Sequence, residues 1–214
     1  MKTLRSTKFR QLAFTLIELL VTIAISAILI SIAVPSMQDA IKPSLVRGHI
    51  RDFNSALQFG RAAAASNFHP VTICPSADGA SCDFVLRNWT NGWIVFTDNG
   101  VGGDFADGEL DTSAGEEIIR VYDYDGSNTL TVTDPDNSLA VLFNITWDRQ
   151  GFVEDESRAL AVVCEKDGEV EYARGLLVAR SGRVILTRDL DDDNIHEQSF
   201  EDGSGNAVTA DLEC

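Results

Sequence analysis

An apolar run near the start of the chain limits the possible folds more than any other feature. Residues 14–34, FTLIELLVTIAISAILISIAV, are 21 positions whose only charged side chain is Glu18. At about 1.5 Å rise per residue, a helix of this length crosses a hydrocarbon core of roughly 30 Å. The run therefore predicts a membrane-spanning helix.

The residues around this run set its orientation. Lys2, Arg5, Lys8 and Arg10 precede it and no acidic residue does, so the positive-inside bias keeps the N-terminus cytoplasmic and exports the residues after the run. A secretory signal also has a basic start, but its apolar stretch is shorter and ends at a small-residue cleavage site. The sequence after Val34, PSMQDAIKPSL, has no such site. We therefore expect the run to remain in the mature protein as a single-pass anchor.

Glu18 is energetically unfavourable within this apolar run. A carboxylate in a bilayer costs about 2.5–3.5 kcal/mol on insertion scales and usually marks a function with a nearby partner. The alternative is that Glu18 lies close enough to the interface for its side chain to reach water. The surrounding string, FTLIELLVTIAISAILISIAVP, resembles the N-terminal signature of type IV pilins and of the pseudopilins of type II secretion.

The resemblance implies a processing step and a role for the glutamate. In that family a prepilin peptidase cuts before the phenylalanine and methylates the new amine, which here places the cut between Ala13 and Phe14 and the methyl group on Phe14. Glu18 corresponds to the family glutamate that pairs with the N-terminal amine of a neighbouring subunit. The family usually has glycine before the cut, whereas this chain has Ala13. The implied partners are the prepilin peptidase, other pilin or pseudopilin subunits and an inner-membrane assembly platform.

The charge of the chain disfavours nucleic acid as a partner. Formal net charge is −16 over 214 residues, and loss of residues 1–13 leaves 13 basic and 33 acidic side chains, a net charge of −20. The last 26 residues, from Asp189 on, contain neither Lys nor Arg. Binding to a phosphate backbone draws on clustered Lys and Arg, which this composition does not favour.

Four cysteines in an exported domain indicate disulfides, and four allow three pairings. We predict Cys74 with Cys82, which flank the short stretch CPSADGASC, and Cys164 with Cys214. In the chain-entropy model the longer loop stabilises by about 4 kcal/mol and the shorter by about 2.5 kcal/mol. A zinc site is disfavoured because no pair has C-x-x-C spacing and the three histidines are scattered.

Apolar periodicity predicts that the helix continues beyond the membrane, from about residue 14 to 66. Apolar residues that recur at spacings of three and four form one face of this helix: Met37, Ile41, Leu45, Val46, Ile50, Phe53, Leu57, Ala64 and Phe68. Pro35 and Pro43 should bend or loosen this helix, and Gly48 and Gly60 should weaken it. We expect the string NFHP to end it.

After residue 70 the sequence changes to short β-rich runs divided by turn residues. These runs are VTIC, GWIVFTD, EIIRVYDY, TLTVTD, LAVLFNITWD, LAVVCE, YARGLLVAR and RVILTRD. One long helix succeeded by strands predicts an α+β fold with the helix laid across an antiparallel sheet. The predicted divisions are a leader at 1–13, a membrane and filament-core helix at 14–35, its amphipathic continuation at 36–68 and an exported β-rich domain at 69–214.

Later motifs resemble one branch of the pilin-like family. ALQFGRAAAASNFHPVTICPSADGASC, WTNGWIVFTDNG, ITWDRQGF and LLVARSGRVIL, in that order, look like the GspH/FimT class of minor pilins and pseudopilins. Trp89 and Trp93 are expected in the core and Gly182 in a turn. Some FimT-type proteins bind DNA through basic residues near this G-R pair, and the matching positions are Arg180, Arg183 and Arg188. This chain departs from that pattern in spacing and carries nine acidic residues after Arg188, so DNA binding is not expected.

Two acidic stretches raise the alternatives of calcium ligation and solvated loops, because hard cations prefer oxygen ligands. The first offers Asp98, Asp104, Asp107, Glu109 and Asp111, and the second offers Asp189, Asp191 and Asp193. Neither matches the EF-hand loop, since the first lacks its alternating ligand spacing and the second has Asn194 and Phe200 where that loop has Gly and Glu. We expect solvated loops, with no metal or cofactor.

No enzyme motif is present in the sequence. It lacks G-x-S-x-G, H-E-x-x-H, a Walker loop and a dinucleotide fingerprint. The sequence and its resemblance thus indicate a minor pilin or pseudopilin that inserts in a filament and helps prime its assembly. The alternatives are a type II secretion pseudopilin of the GspH type and a FimT-like subunit that captures DNA.

Overall fold

The computed structural model of the chain describes residues 15–99, 106–124, 126–137, 140–154, 158–201 and 207–214. The chain divides into two units, and the division falls between Ile41 and Lys42. The first unit is the N-terminal part of one helix. The second holds the rest of that helix and all the strands.

Helix α1 spans Leu16–Asn67, 52 residues. The helix continues through Pro35 and Pro43, although each proline removes one main-chain N–H donor from it. The Nε of Arg47 donates to the carbonyl of Pro43 at 3.0 Å. Phe68 comes next with φ of 57°, the left-handed conformation that commonly ends a helix. The predicted C-terminal boundary is therefore correct to one residue.

Eleven strands are present in the described residues. They are β1 Val71–Pro75, β2 Gly92–Thr97, β3 Ile118–Asp123, β4 Asn128–Asp134, β5 Ala140–Val141, β6 Ile145–Trp147, β7 Ala159–Glu165, β8 Arg174–Val178, β9 Val184–Leu186, β10 Glu197–Glu201 and β11 Ala207–Asp211. They form a four-stranded sheet in the order β3-β2-β1-β6, a five-stranded sheet in the order β5-β4-β7-β8-β9 and a two-stranded sheet of β10 and β11. Their pairings are antiparallel, so the predicted α+β class is confirmed.

Two features of the strands differ from the sequence expectation. The run 139–148 reads as one strand, but it forms β5 in one sheet and β6 in the other. The β-rich runs identified in the sequence end at residue 189, and the tail beyond is acidic with little apolar content, yet β10 and β11 pair from Glu197↔Asp211 to Glu201↔Ala207. Main-chain hydrogen bonds, which need no apolar pattern, join these two strands.

The main core lies between the second part of α1 and the two larger sheets. From the helix it receives Val46, Ile50, Phe53, Leu57 and Ala64, all buried as the periodicity predicts. Three tryptophans in this core are also among the largest fully buried side chains: Trp89, Trp93 and Trp147. The expected core positions of the first two are thus confirmed. Four other members of the predicted apolar face are exposed: Met37, Ile41, Leu45 and Phe68.

Strand β7 is buried on both faces. Its residues Ala159, Ala161 and Val163 belong to the main core. The alternate residues Leu160, Val162 and Cys164 form a second cluster with Ala173 and Leu212. Because successive side chains of a strand point to opposite faces, the tail that carries Leu212 covers the outer face of β7 while helix α1 belongs to the core on the inner face.

Candidate functional site

The apolar segment carries Glu18 in the first turn of α1. The window Leu16–Val34 has 19 residues and a mean hydropathy of 2.6, long and apolar enough to cross a membrane, and none of it is buried inside the described chain. Glu18 is exposed, and its amide donates to Oγ1 of Thr15 at 3.3 Å. A carboxylate is electrostatically favoured in a first turn, where helix N–H groups are unpaired. The predicted cleavage residues, Ala13 and Phe14, lie outside the described residues.

The other polar groups of this segment are satisfied within the helix. The hydroxyls of Thr22, Ser26 and Ser31 donate to main-chain carbonyls three or four residues earlier, at 2.7–2.8 Å. Such bonds reduce the cost of placing a hydroxyl in an apolar environment. Glu18 is the one charged side chain between residues 14 and 34. It is therefore the residue of this segment for which an outside partner matters most.

Two disulfides hold parts of the β domain. Cys74 joins Cys82, and Cys164 joins Cys214, with Cα atoms 5.6 and 5.8 Å apart. The first closes the stretch after β1 and lies in a cluster on the outer face of the four-stranded sheet. The second ties the tail to the outer face of β7. All four cysteines of the sequence are used, so none remains as a thiolate ligand for zinc.

The three arginines considered for DNA binding are exposed on or after the β8–β9 hairpin. Arg180 and Arg183 flank the hairpin turn, and Arg180 lies 3.8 Å from a carboxylate oxygen of Asp136. The carbonyl of Arg188 accepts a hydrogen bond from the amide of Glu197 at 2.9 Å, which places Arg188 beside the acidic tail. Arg180 and Arg188 therefore lie near acidic groups.

Gly182 has a structural role in this hairpin. Its φ is 73°, and a Cβ there would lie 2.0 Å from the carbonyl oxygen of Gly151. The Nε of Arg61 in α1 donates to the same carbonyl at 3.0 Å. A side chain at position 182 would therefore clash with main chain in a conformation that only glycine adopts easily. The expectation of a turn glycine is confirmed.

The first acidic stretch organises its own loop. Asp98 is fully buried and accepts hydrogen bonds from Oγ1 of Thr72 at 2.6 Å and from the amides of Asp107 and Gly108 at 3.1 and 2.9 Å. The carboxylate of Glu116 likewise accepts from two amides. For Asp98, the expected solvated loop is wrong, because its carboxyl group is buried and satisfied by N–H and O–H donors. Asp104 lies outside the described residues.

The second acidic stretch forms a cluster that the sequence reveals only in part. Asp189, Asp191, Asp193 and Glu197 each offer one carboxylate oxygen, and these four oxygens all lie within 4.8 Å of one another. The sequence indicates the three aspartates as candidate ligands but not Glu197. That residue lies eight positions after Asp189, three before the place at which an EF-hand loop has its glutamate.

Known proteins resemble both parts of the chain. The family model of the Type II transport protein GspH matches residues 49–189, and the prokaryotic N-terminal methylation motif matches residues 8–34. No curated protein matches the sequence. The family is one of structural pilin and pseudopilin subunits, not of enzymes.

A solved structure of a minor pilin shares the fold. The type IV minor pilin FimU of Pseudomonas aeruginosa PAO1 has a TM-score of 0.50 and 17% identity, over 69% of this chain and 92% of that chain. A second crystal form of FimU gives 0.47 and 18%, over 66% and 92%. At this identity the first similarity shows a shared fold. Because the GspH model covers more than half of the sequence and the methylation motif covers the apolar N-terminal segment, the chain belongs to the GspH/FimT class of type IV pilin-like proteins.

Proposed function

We propose that this protein is a minor pilin or minor pseudopilin that enters a filament through its N-terminal helix and helps to prime filament assembly. The observation that carries the proposal is the segment Leu16–Val34, apolar and without burial inside the described chain. Apolar surface of this extent needs lipid or protein around it. Membership of the family implies that other pilin subunits provide part of that environment.

The leader is the first step of the proposed pathway. We expect a prepilin peptidase to cut between Ala13 and Phe14 and to methylate the amine of Phe14, because the methylation motif spans both residues. The protein would wait in the inner membrane with residues beyond the anchor in the periplasm, as the basic leader indicates, before an assembly platform moves it into the filament. Intact-mass measurement of the membrane-extracted protein tests the cut: a retained leader contradicts it.

The proposed partner of Glu18 is the Phe14 amine of a neighbouring subunit. In an apolar filament core an isolated carboxylate is strongly unfavourable, and a close amine both neutralises it and fixes the axial position of one helix against the next. Glu18 has no other charged side chain within residues 14–34 with which to pair. The pair would therefore favour insertion beside another subunit over persistence in lipid.

Substitution of Glu18 tests this role. Glu18→Gln and Glu18→Ala should leave membrane level and disulfide formation unchanged but reduce the amount of protein in sheared filaments by at least about tenfold. Thr22→Val is the matched control, since it lies one turn away and its hydroxyl bonds only the carbonyl of Leu19 among the described contacts. If Glu18→Gln enters filaments as well as the control does, the pairing role is refuted.

A type II secretion pseudopilin is the second candidate, favoured by the match to the GspH model over residues 49–189. The two candidates differ in the machine that the subunit serves. A strain that lacks this protein should lose surface pili if the first applies and lose secretion of folded exoproteins if the second does. Complementation with the full-length chain, with pili and secreted protein measured in the same cultures, separates them.

A further inference from the structure

The acidic cluster between β9 and β10 has the spacing of a single-ion site. One carboxylate oxygen from each of Asp189, Asp191, Asp193 and Glu197 lies within 4.8 Å of the other three. Calcium–oxygen distances are about 2.3–2.6 Å, so two oxygens bound to one calcium ion are at most about 5 Å apart. The four side chains can therefore reach the same ion with little rearrangement.

A second observation points to a ligand at this place. Glu197 is only 6% exposed. Its Oε2 accepts a hydrogen bond from the amide of Leu190 at 2.7 Å, but its Oε1 is buried and has no hydrogen-bond partner among the described residues. A buried carboxylate oxygen without a donor is strongly unfavourable. Because one carboxylate oxygen of Glu197 lies in the cluster, a cation held by the aspartates would be a partner for this carboxylate.

The surroundings supply little positive charge to the cluster. No Lys or Arg occurs after Arg188. Arg174 interacts electrostatically with Asp189, but its described hydrogen bonds go to the carbonyls of Glu171 and Ala173. Four carboxylates at these distances repel one another, and the repulsion is strongest for the buried member. Main-chain amides of the loop donate to the three aspartates, and a divalent cation would offset the repulsion that remains.

We propose that Asp189, Asp191, Asp193 and Glu197 bind one calcium ion. The ligands are all carboxylate oxygens, which suit a hard cation rather than a soft one. Calcium is favoured over magnesium because it accepts six to eight ligands in flexible geometry, whereas magnesium demands a near-ideal octahedron and retains several waters. Three of the ligands lie on one loop and only Glu197 is buried, an arrangement that can adapt to the larger ion.

The ion would fasten the start of the C-terminal hairpin. Glu197 is the first residue of β10, and its amide already donates to the carbonyl of Arg188. Calcium would join this residue to the loop that precedes it, near the end of β9. The hairpin leads on to Leu212, which covers the outer face of β7. Calcium is therefore expected to stabilise the docked tail, independently of whether the filament is a pilus or a secretion pseudopilus.

Calorimetric titration of the detergent-solubilised full-length protein tests the site. After treatment with EDTA and buffer exchange, CaCl2 should bind with one-to-one stoichiometry and a dissociation constant of about 10⁻⁵–10⁻³ M, and MgCl2 at least tenfold more weakly. Asp191→Asn and Glu197→Gln should each weaken calcium binding by about tenfold or more. Asp192→Asn is the matched control, because Asp192 lies in the same loop, carries the same charge and is outside the cluster.

The comparison of variants separates a built site from general attraction to an acidic loop. Binding by Asp192→Asn should stay within about twofold of the original protein. Calcium should also raise the melting temperature of the original protein and of Asp192→Asn but not of Asp191→Asn. The proposal is overturned by any of three results: no saturable heat up to about 10 mM calcium, equal losses in Asp191→Asn and Asp192→Asn, or tighter binding of magnesium than of calcium.

Discussion

Two glycines in the same helix are expected to respond in opposite ways to the same substitution. Both Gly48 and Gly60 lie in the part of α1 that belongs to the β-rich unit, and in a helix interior alanine is more favourable than glycine by about 0.8–1.0 kcal/mol. A Cβ at Gly48 meets nothing within 4 Å. Gly48→Ala should therefore stabilise the domain by nearly the full propensity difference.

Gly60→Ala would gain the same helix propensity, but its new Cβ would contact the core. A Cβ there would lie 2.7 Å from Cζ3 of Trp147 and 3.1 Å from its Cε3. Trp147 is fully buried, so its ring cannot move away without disturbing its neighbours, and overpacking of this kind costs about 1–3 kcal/mol. Gly60→Ala should be less stable than Gly48→Ala by that amount, about 2–12 °C in melting temperature for a chain of this size.

Tryptophan fluorescence during thermal unfolding measures this difference directly, because the three tryptophans of the chain are all in the main core. Far-UV circular dichroism on the same samples checks that the helix content is unchanged. Should Gly60→Ala melt at or above the temperature of Gly48→Ala, the close contact between α1 and Trp147 would not limit stability and the packing argument would fail.

Disulfides, an ion pair and surface charge give three more predictions. Removal of the Cys164–Cys214 disulfide by paired alanines should cost about 4 kcal/mol, more than the roughly 2.5 kcal/mol for Cys74–Cys82, because it closes the longer loop; equal melting temperatures would contradict this. The Arg158 guanidinium donates two hydrogen bonds to Asp136 and holds the pKa of that carboxyl below its ordinary value. Its stabilising effect is therefore present above the pKa of the unfolded state and lost as the pH falls through the folded-state pKa. Asp136→Asn should therefore lower the melting temperature by about 2–4 °C at pH 7 and by progressively less as the pH falls through the folded-state pKa. Finally, at about 0.15 M salt the protein should bind duplex DNA more weakly than micromolar, and a micromolar affinity that Arg183→Gln reduces would favour DNA capture instead.

The sequence predicts the parts of the fold that apolar periodicity controls. The buried face of α1 from Val46 to Ala64 has spacings of three and four, and the helix ends within one residue of the expected place. Periodicity also predicts most strands, because most of them pack at least one face on the core. It does not reveal that residues 142–144 carry the chain from one sheet to the other, since the run reads as continuously apolar and β-prone.

Polar features are harder to predict because their environment depends on distant residues. Asp98 reads as one more acid in an acidic loop, yet Thr72, 26 residues earlier, is one of its donors. The tail strands β10 and β11 lack apolar alternation. Glu197 does not stand at the fixed spacing of an EF-hand loop, and the fold brings it to the aspartates through the turn before β10. These contacts between distant residues cannot be predicted from composition alone.

The late position of the tail in the sequence has a consequence for the order in which the β-rich domain can fold. Leu212 and Cys214 cover Leu160 and Val162, which precede them by about 50 residues of chain. During synthesis from the N-terminal end, β7 can pair with β4 and β8 while one apolar side remains open to water and to other chains. The subunit is most prone to aggregate during this interval. The interval ends only when the Cys164–Cys214 disulfide forms and holds the tail over β7.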